Sequence, residues 1–380
     1  MMQKLVHHAR RLARSRRMRS LALALASASP VVAQQRAASP DTLIAEAHYL
    51  RVLPHVDAEL RQNPDNVQAL IHKSVLDWAF FRFDAAIAAA EHAVALASQS
   101  ASAHAQLTNA LGAKLQASEN AGTFARLALA RRFRKEADLS VQLDPNSLDA
   151  LEDAARFYWE APSIAGGDRS RARQLADRVA QLDPARAAAL KARFLADEQK
   201  DPAQRAAAIT ALWQAAIVAA SNNADAHAGL AAACLNEGTP KYALAESEAR
   251  RAIALAPSRI APYRTLAALY ATTGRWSDLD ALLKQSQAAV PDNLSPTYQA
   301  ARVILTANAA AHFSRAEQYL RSYLAQPAEG EEPSHAQAHW RLGLVLEKLG
   351  RRSDAIRELE AALHEDNSLD GVKQDLKRLN

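Results

Sequence analysis

A zinc hydrolase needs two histidines one helical turn apart with a glutamate between them. His48, His55, His72, His92, His104, His227, His312, His335, His339 and His364 never form that arrangement. Cys234 is the only cysteine, so neither an intramolecular disulfide nor a thiolate metal set can form. It also lacks a nearby histidine and acid in any nucleophile arrangement, and it reads as a small buried hydrophobe on a helix. No G-x-S-x-G elbow occurs. Gly166-Gly167-Asp168 could cradle an anion at the start of a helix near Arg169. Without a Walker motif or dinucleotide fingerprint, the better account is a turn that needs unusual backbone angles. No catalytic residue, metal ligand or cofactor site is therefore expected.

Charge points first toward nucleic acid and then away from it. The chain of 380 residues has a formal charge of +5, but Lys4, Arg10, Arg11, Arg14, Arg16, Arg17 and Arg19 all precede position 34, a stretch without acids. Setting those seven aside leaves −2. Arg126, Arg131, Arg132, Arg134 and Lys135 cluster, yet Glu136 and Asp138 follow, the pattern of a solvated helix face. No nucleic-acid partner is expected.

Residues 1–33 have the form of a signal peptide: a basic region, an apolar run from Leu21 to Ala26 reaching Val31-Val32-Ala33, and small residues before Gln34. Met1 or Met18 can serve as the start. Arg19 and Ser20 follow the Ser15-Arg16-Arg17 pair where a twin-arginine signal wants apolar residues, so a Sec-type signal and a periplasmic or secreted protein are expected. An Arg- and Ser-rich leader also suits mitochondrial targeting as a minor alternative. No integral membrane segment is expected in the mature chain. Ala206 to Ala220, almost wholly apolar, is too short to span and reads as a buried central helix.

The elements that would hold any site come from a repeat. Leu255-Ala256-Pro257 and Ala289-Val290-Pro291 lie 34 residues apart, each closing an apolar helical run. Residues 226–259 place Ala232 and Ala233 in a first helix and Ala245, Ala249, Ala252 and Pro257 in a second. The next unit supplies Tyr263, Leu266, Ala267, Tyr270, Gly274 and Pro291, and the last Leu342-Gly343, Leu346, Gly350, Ala355, Leu359 and Ala362. Small residues at contact points let paired helices approach closely, and larger ones fill the space between pairs.

In these residues the chain resembles the tetratricopeptide (TPR) family over nearly all of 65–380. Phe157 to Asp168 further resembles a lengthened turn of a group of bacterial exported TPR proteins without assigned activity. The expected fold is all-α: a right-handed α-solenoid of about eight or nine TPR-like helix pairs with a C-terminal capping helix. Irregular helices are expected over 34–64, the superhelix over 65–380, and insertions near 113–125, 162–168 and 327–335. The resemblance implies a protein-interaction scaffold whose concave groove holds a peptide or protein, with ligand contacts from the first helix of each pair. Mapped here, those positions are Trp78, Asn109, Glu152, Arg156, Trp159, Glu160, Arg264, Tyr298, Arg302 and Trp340. The Lys and Asn array that holds acidic chaperone tails is missing, since Ile71 and Val75 occupy its first places. A small-ligand-binding accessory protein of a transporter is the alternative, and an enzyme assembled from scattered groove residues a remote one.

Overall fold

Helix follows helix along this chain because each carries its own start and stop signals. The computed structural model describes residues 39–117, 122–236, 238, 240–330 and 333–379; the expected signal peptide lies outside them. Among the described residues there are 19 α-helices and no strand. An opening pair, α1 (Pro40–Ala45) and α2 (Tyr49–Gln62), leads into the series. Pairs follow as α3 (Val67–Ala79) with α4 (Phe83–Leu96), α5 (Ala101–Ala117) with α6 (Thr123–Leu143), and α7 (Leu148–Glu160) with α8 (Arg169–Leu182). Next come α9 (Pro184–Glu198) with α10 (Pro202–Ala219), α11 (Ala224–Leu235) with α12 (Tyr242–Leu255), and α13 (Ile260–Thr272) with α14 (Trp276–Ala289). The last pairs are α15 (Ser295–Thr306) with α16 (Phe313–Leu324) and α17 (His335–Lys348) with α18 (Arg352–Glu365); α19 (Asp370–Leu379) covers the end.

Side-chain oxygens of Asn66, Ser147, Asn223 and Ser334 accept the N–H three residues on and start α3, α7, α11 and α17. Stops inside the pairs repeat as well. Gly274 and Gly350 take left-handed backbone angles, and the next residues, Arg275 and Arg351, donate their N–H groups back to Tyr270 and Leu346. This closes the last carbonyls of α13 and α17. Phe81 (φ 60) and Asn308 (φ 49) make the same turn without glycine.

Curvature follows from which helices meet. First helices of neighbouring units touch along the series, closely for α13 with α15, whereas second helices pack mainly on first helices. First helices are accordingly buried over much of their circumference: α13 buries Tyr263, Leu266, Ala267, Leu269 and Tyr270. By contrast α4 buries only Ala86, Ala90 and Ala93. The first helices thus line the inner side. Close pairing needs small residues there: a Cβ on Gly343 would meet Leu359 side-chain atoms at 3.0 Å.

One helix departs from expectation. The apolar stretch 206–220 is not a buried central helix: α10 buries only Thr210 and Ala216, and Val218 is 87% exposed. Alanine is small enough that an Ala-rich helix face needs no cover, so apolar composition overstated its burial. No helix among the described residues is long and apolar enough to cross a membrane.

The solenoid also returns on itself. The opening pair meets the three turns that follow α12, α14 and α16. Arg259 donates to the carbonyl of Ala45 (2.6 Å) and Ser258 to Glu46 (2.8 Å). Asp292 takes His48 (3.1 Å) and Arg51 (2.6 Å), and the Leu50 N–H donates to Glu329 (2.9 Å). Gly330 (φ +106) lies so close that a Cβ would stand 2.9 Å from the Tyr49 ring and 3.1 Å from the Ala79 carbonyl.

Candidate functional site

Three of the histidines weighed above as metal ligands join the two helices of a pair. His104 of α5 bonds Glu136 of α6 (2.6 Å), His227 of α11 bonds Glu248 of α12, and His339 of α17 bonds Glu358 of α18 (2.6 Å). Among the described residues no three His, Cys, Asp or Glu side chains gather as a metal site. Gly167 packs so tightly on the Ala161 carbonyl that a Cβ would come within 1.8 Å. The Asp168 carboxylate itself caps α8, accepting from Ser170 and Arg171, so an acid already occupies the helix start where an anion would bind.

The ten groove residues divide by location. Trp78 is half-buried and packs against the cluster that joins the opening pair to α3, and Asn109 is half-buried on α5. On α7, Glu152 is ion-paired to Arg186 (2.6 Å), Arg156 to Asp153, and the exposed Glu160 to Arg193 (2.8 Å). Burial pushes the Asp153 carboxyl up to about 6, against the pull of Arg156. Trp159 is only 2% exposed. Its indole stacks on Phe194 at 4.0 Å, donates to Asp197 (2.9 Å) and is covered by the guanidinium groups of Arg169 and Arg173. It spans the junction between neighbouring units and presents no face to a ligand.

The other four converge. Arg264 of α13, Tyr298 and Arg302 of α15, and Trp340 of α17 line one cavity of about 230 Å³ on three successive first helices. Tyr298 is buried beside Tyr323, ring centres 5.5 Å apart. The Arg302 Nε–H donates to Gln299 (3.0 Å), which fixes its guanidinium along the wall. Trp340 is held by its indole N–H on Asp375 of α19 (2.8 Å), and the Arg341 guanidinium lies over the ring at 4.8 Å. Ser295, Gln299, Pro333, Gln337 and Arg341 complete the wall, so its residues include three arginines and no carboxylate.

Ser295, Gln299, Gln337 and Arg341 were not among the sequence candidates. A signal for them existed: Ser295 and Gln299, Tyr298 and Arg302, and Gln337 and Arg341 are each four residues apart and share a helix face. A second cavity of about 310 Å³ adjoins the first through Arg264. Tyr49, Ile260, Leu294 and Tyr323 give it apolar surface, with Asp292 and Glu329 at the closure. It exists because the opening pair returns to the turns after α14 and α16, a contact no local pattern announces.

No protein-family model and no curated protein matches the sequence. Solved structures do match. One is the crystal structure of yeast Tom70, with 13% identity over 90% of this chain and 79% of that chain and a TM-score of 0.48. Another is MamA from AMB-1, with 18% identity over 44% of this chain and 92% of that chain and a TM-score of 0.32.

Proposed function

We propose that the protein is a non-enzymatic adaptor that holds a peptide or protein partner on the inner surface of its solenoid, in the cell envelope. The observation that carries this reading is the convergence of Arg264, Tyr298, Arg302 and Trp340 on one cavity built by α13, α15 and α17. Arginine, tyrosine and tryptophan are the side chains that most often anchor protein interfaces. The form of residues 1–33 supports export to the periplasm or beyond, and the mildly acidic remainder of the chain argues against a nucleic-acid partner.

A second reading rests on size. Cavities of about 230 and 310 Å³ approach the lower end of small-ligand pockets, roughly 300–1,000 Å³, and suit an accessory protein that delivers a solute to a transporter. Photo-crosslinking in the native host separates the two. A crosslinking amino acid at Gln299, on the cavity wall, should join the chain to a specific protein, while one at Glu360, on the outer face of α18, should not. Absence of any protein adduct from Gln299, with helical circular dichroism intact, would remove the adaptor reading in favour of a solute.

A further inference from the structure

The adaptor reading leaves the chemistry of the partner open, and the charge of the cavity narrows it. Elsewhere in the last units arginines are neutralised in place: Arg275 by Glu246, Arg315 by Asp280, Arg351 by Glu317 and Arg378 by Glu347. Arg302 and Arg341 form no ion pair among the described residues, although both line the same cavity as Arg264. Two wall groups also have unused hydrogen-bonding capacity. The Arg341 Nε and the Ser295 hydroxyl are both buried without a partner, and Ser295 is only 2% exposed. A buried donor left unmade is a standing cost, so an acceptor brought by a ligand has something to gain here. Guanidinium pairs favour planar carboxylates, which they grip through two parallel bonds.

The neighbouring cavity sets the length of what binds. It opens beside Arg264 and offers Tyr49, Ile260, Leu294 and Tyr323 as apolar surface. Its one ion-paired acid, Asp292, is already taken by His48 and Arg51. A free small anion would use the first cavity alone, whereas an extended chain with an acidic residue next to an apolar one fills both.

Resting on the adaptor reading, we infer that the partner presents an acidic peptide segment whose carboxylate lies between Arg302 and Arg341 and whose adjoining apolar side chain enters the cavity beyond Arg264. This differs in residue type and position from the Lys and Asn array described above, whose first places are held by Ile71 and Val75.

The test uses the full chain against an array of immobilised decapeptides in which an acidic, amide or basic residue stands beside an apolar one. Acidic members should bind at least tenfold more tightly than their amide counterparts, and weaken as salt screens the charges. The double variant Arg302→Gln/Arg341→Gln should lose that preference at unchanged helical circular dichroism, while Arg302→Lys/Arg341→Lys should keep part of it. Equal binding of acidic and amide peptides, or a preference untouched by the Gln pair, overturns the inference. If Gln299 still crosslinks to a protein in that case, the adaptor reading stands and only the acidic chemistry falls. Arg-dependent binding of glutarate or inorganic phosphate, with no peptide held more tightly, overturns both.

Discussion

Phe81 holds a left-handed backbone angle at the turn where Gly274 and Gly350 serve other units, and its ring is 50% exposed. A side chain in that region costs roughly 1–2 kcal/mol, of which glycine gives back about 0.5–1 kcal/mol through a more flexible unfolded chain. Phe81→Gly should therefore stabilise the protein by up to about 1 kcal/mol, read from the denaturation midpoint. A lower midpoint would mean that the edge-on contact with Phe83 at 6.2 Å outweighs the backbone gain. Residue identity was a good guide at Gly274 and Gly350, where a left-handed turn favours glycine, because turn geometry is local. It was a poorer guide at Trp159, whose position in the repeat suggested a ligand contact. Whether an indole faces a groove or Phe194 depends on the neighbouring unit, which the spacing within one helix does not contain.

Helix pairs are joined by the histidine–glutamate bonds that recur in α5–α6, α11–α12 and α17–α18. The hydrogen bond to Glu358 raises His339 above its ordinary value of 6.5, against the opposing effect of burial and with help from the Glu358 and Glu365 charges. A raised histidine stabilises the fold fully below its unfolded value and loses that contribution as pH rises through the folded value. The urea midpoint of the wild type should accordingly fall across that window as pH increases, and His339→Gln should flatten the fall. A variant midpoint with the same pH dependence would assign the effect to another group. The existence of these pairs was legible from alanine spacing and the 34-residue period; the bonds within them were not, because they link side chains 19 to 32 residues apart.

Closure belongs to the whole molecule. Burial pushes the Glu329 carboxyl up to about 8, opposed by the Leu50 N–H bond and the Arg51 charge, and reinforced by Asp292. Its second oxygen is buried without a partner, which disfavours the charged form further. Opened, the same carboxyl would lose its proton near 4.5, so closure is strongest below that value and weakens as pH rises toward 8. Asp292 acts at the other end. Burial alone would raise it, but the His48 bond and the His48 and Arg51 charges hold it below 3.8, so its contribution fades only as pH falls through that lowered value. Hydrogen exchange at the Leu50 amide, which Glu329 accepts, reads the contact directly. Corrected for intrinsic rates, protection should drop between pH 5 and 8, and Glu329→Gln should remove the dependence. A wild-type amide equally protected at both ends would show that this carboxyl does not govern closure.

Helices, their pairing and their starts and stops are set within some 34 residues, where caps, left-handed turns and small contact residues act on near neighbours. That is why Gly274, Gly350, Ala245, Ala249 and Ala355 by themselves specify a solenoid of helix pairs. Arg264, Arg302 and Trp340 were likewise legible as inward-facing positions. That they share a cavity with Ser295, Gln337 and Arg341 was decided by the close packing of α13 on α15 and the placement of α17 beside them. The meeting of His48, Leu50 and Arg51 with Asp292 and Glu329, more than 240 residues away, is more remote still. It arises because small rotations between units accumulate along the stack until the opening pair meets the turns after α12, α14 and α16, and no single repeat carries the sum.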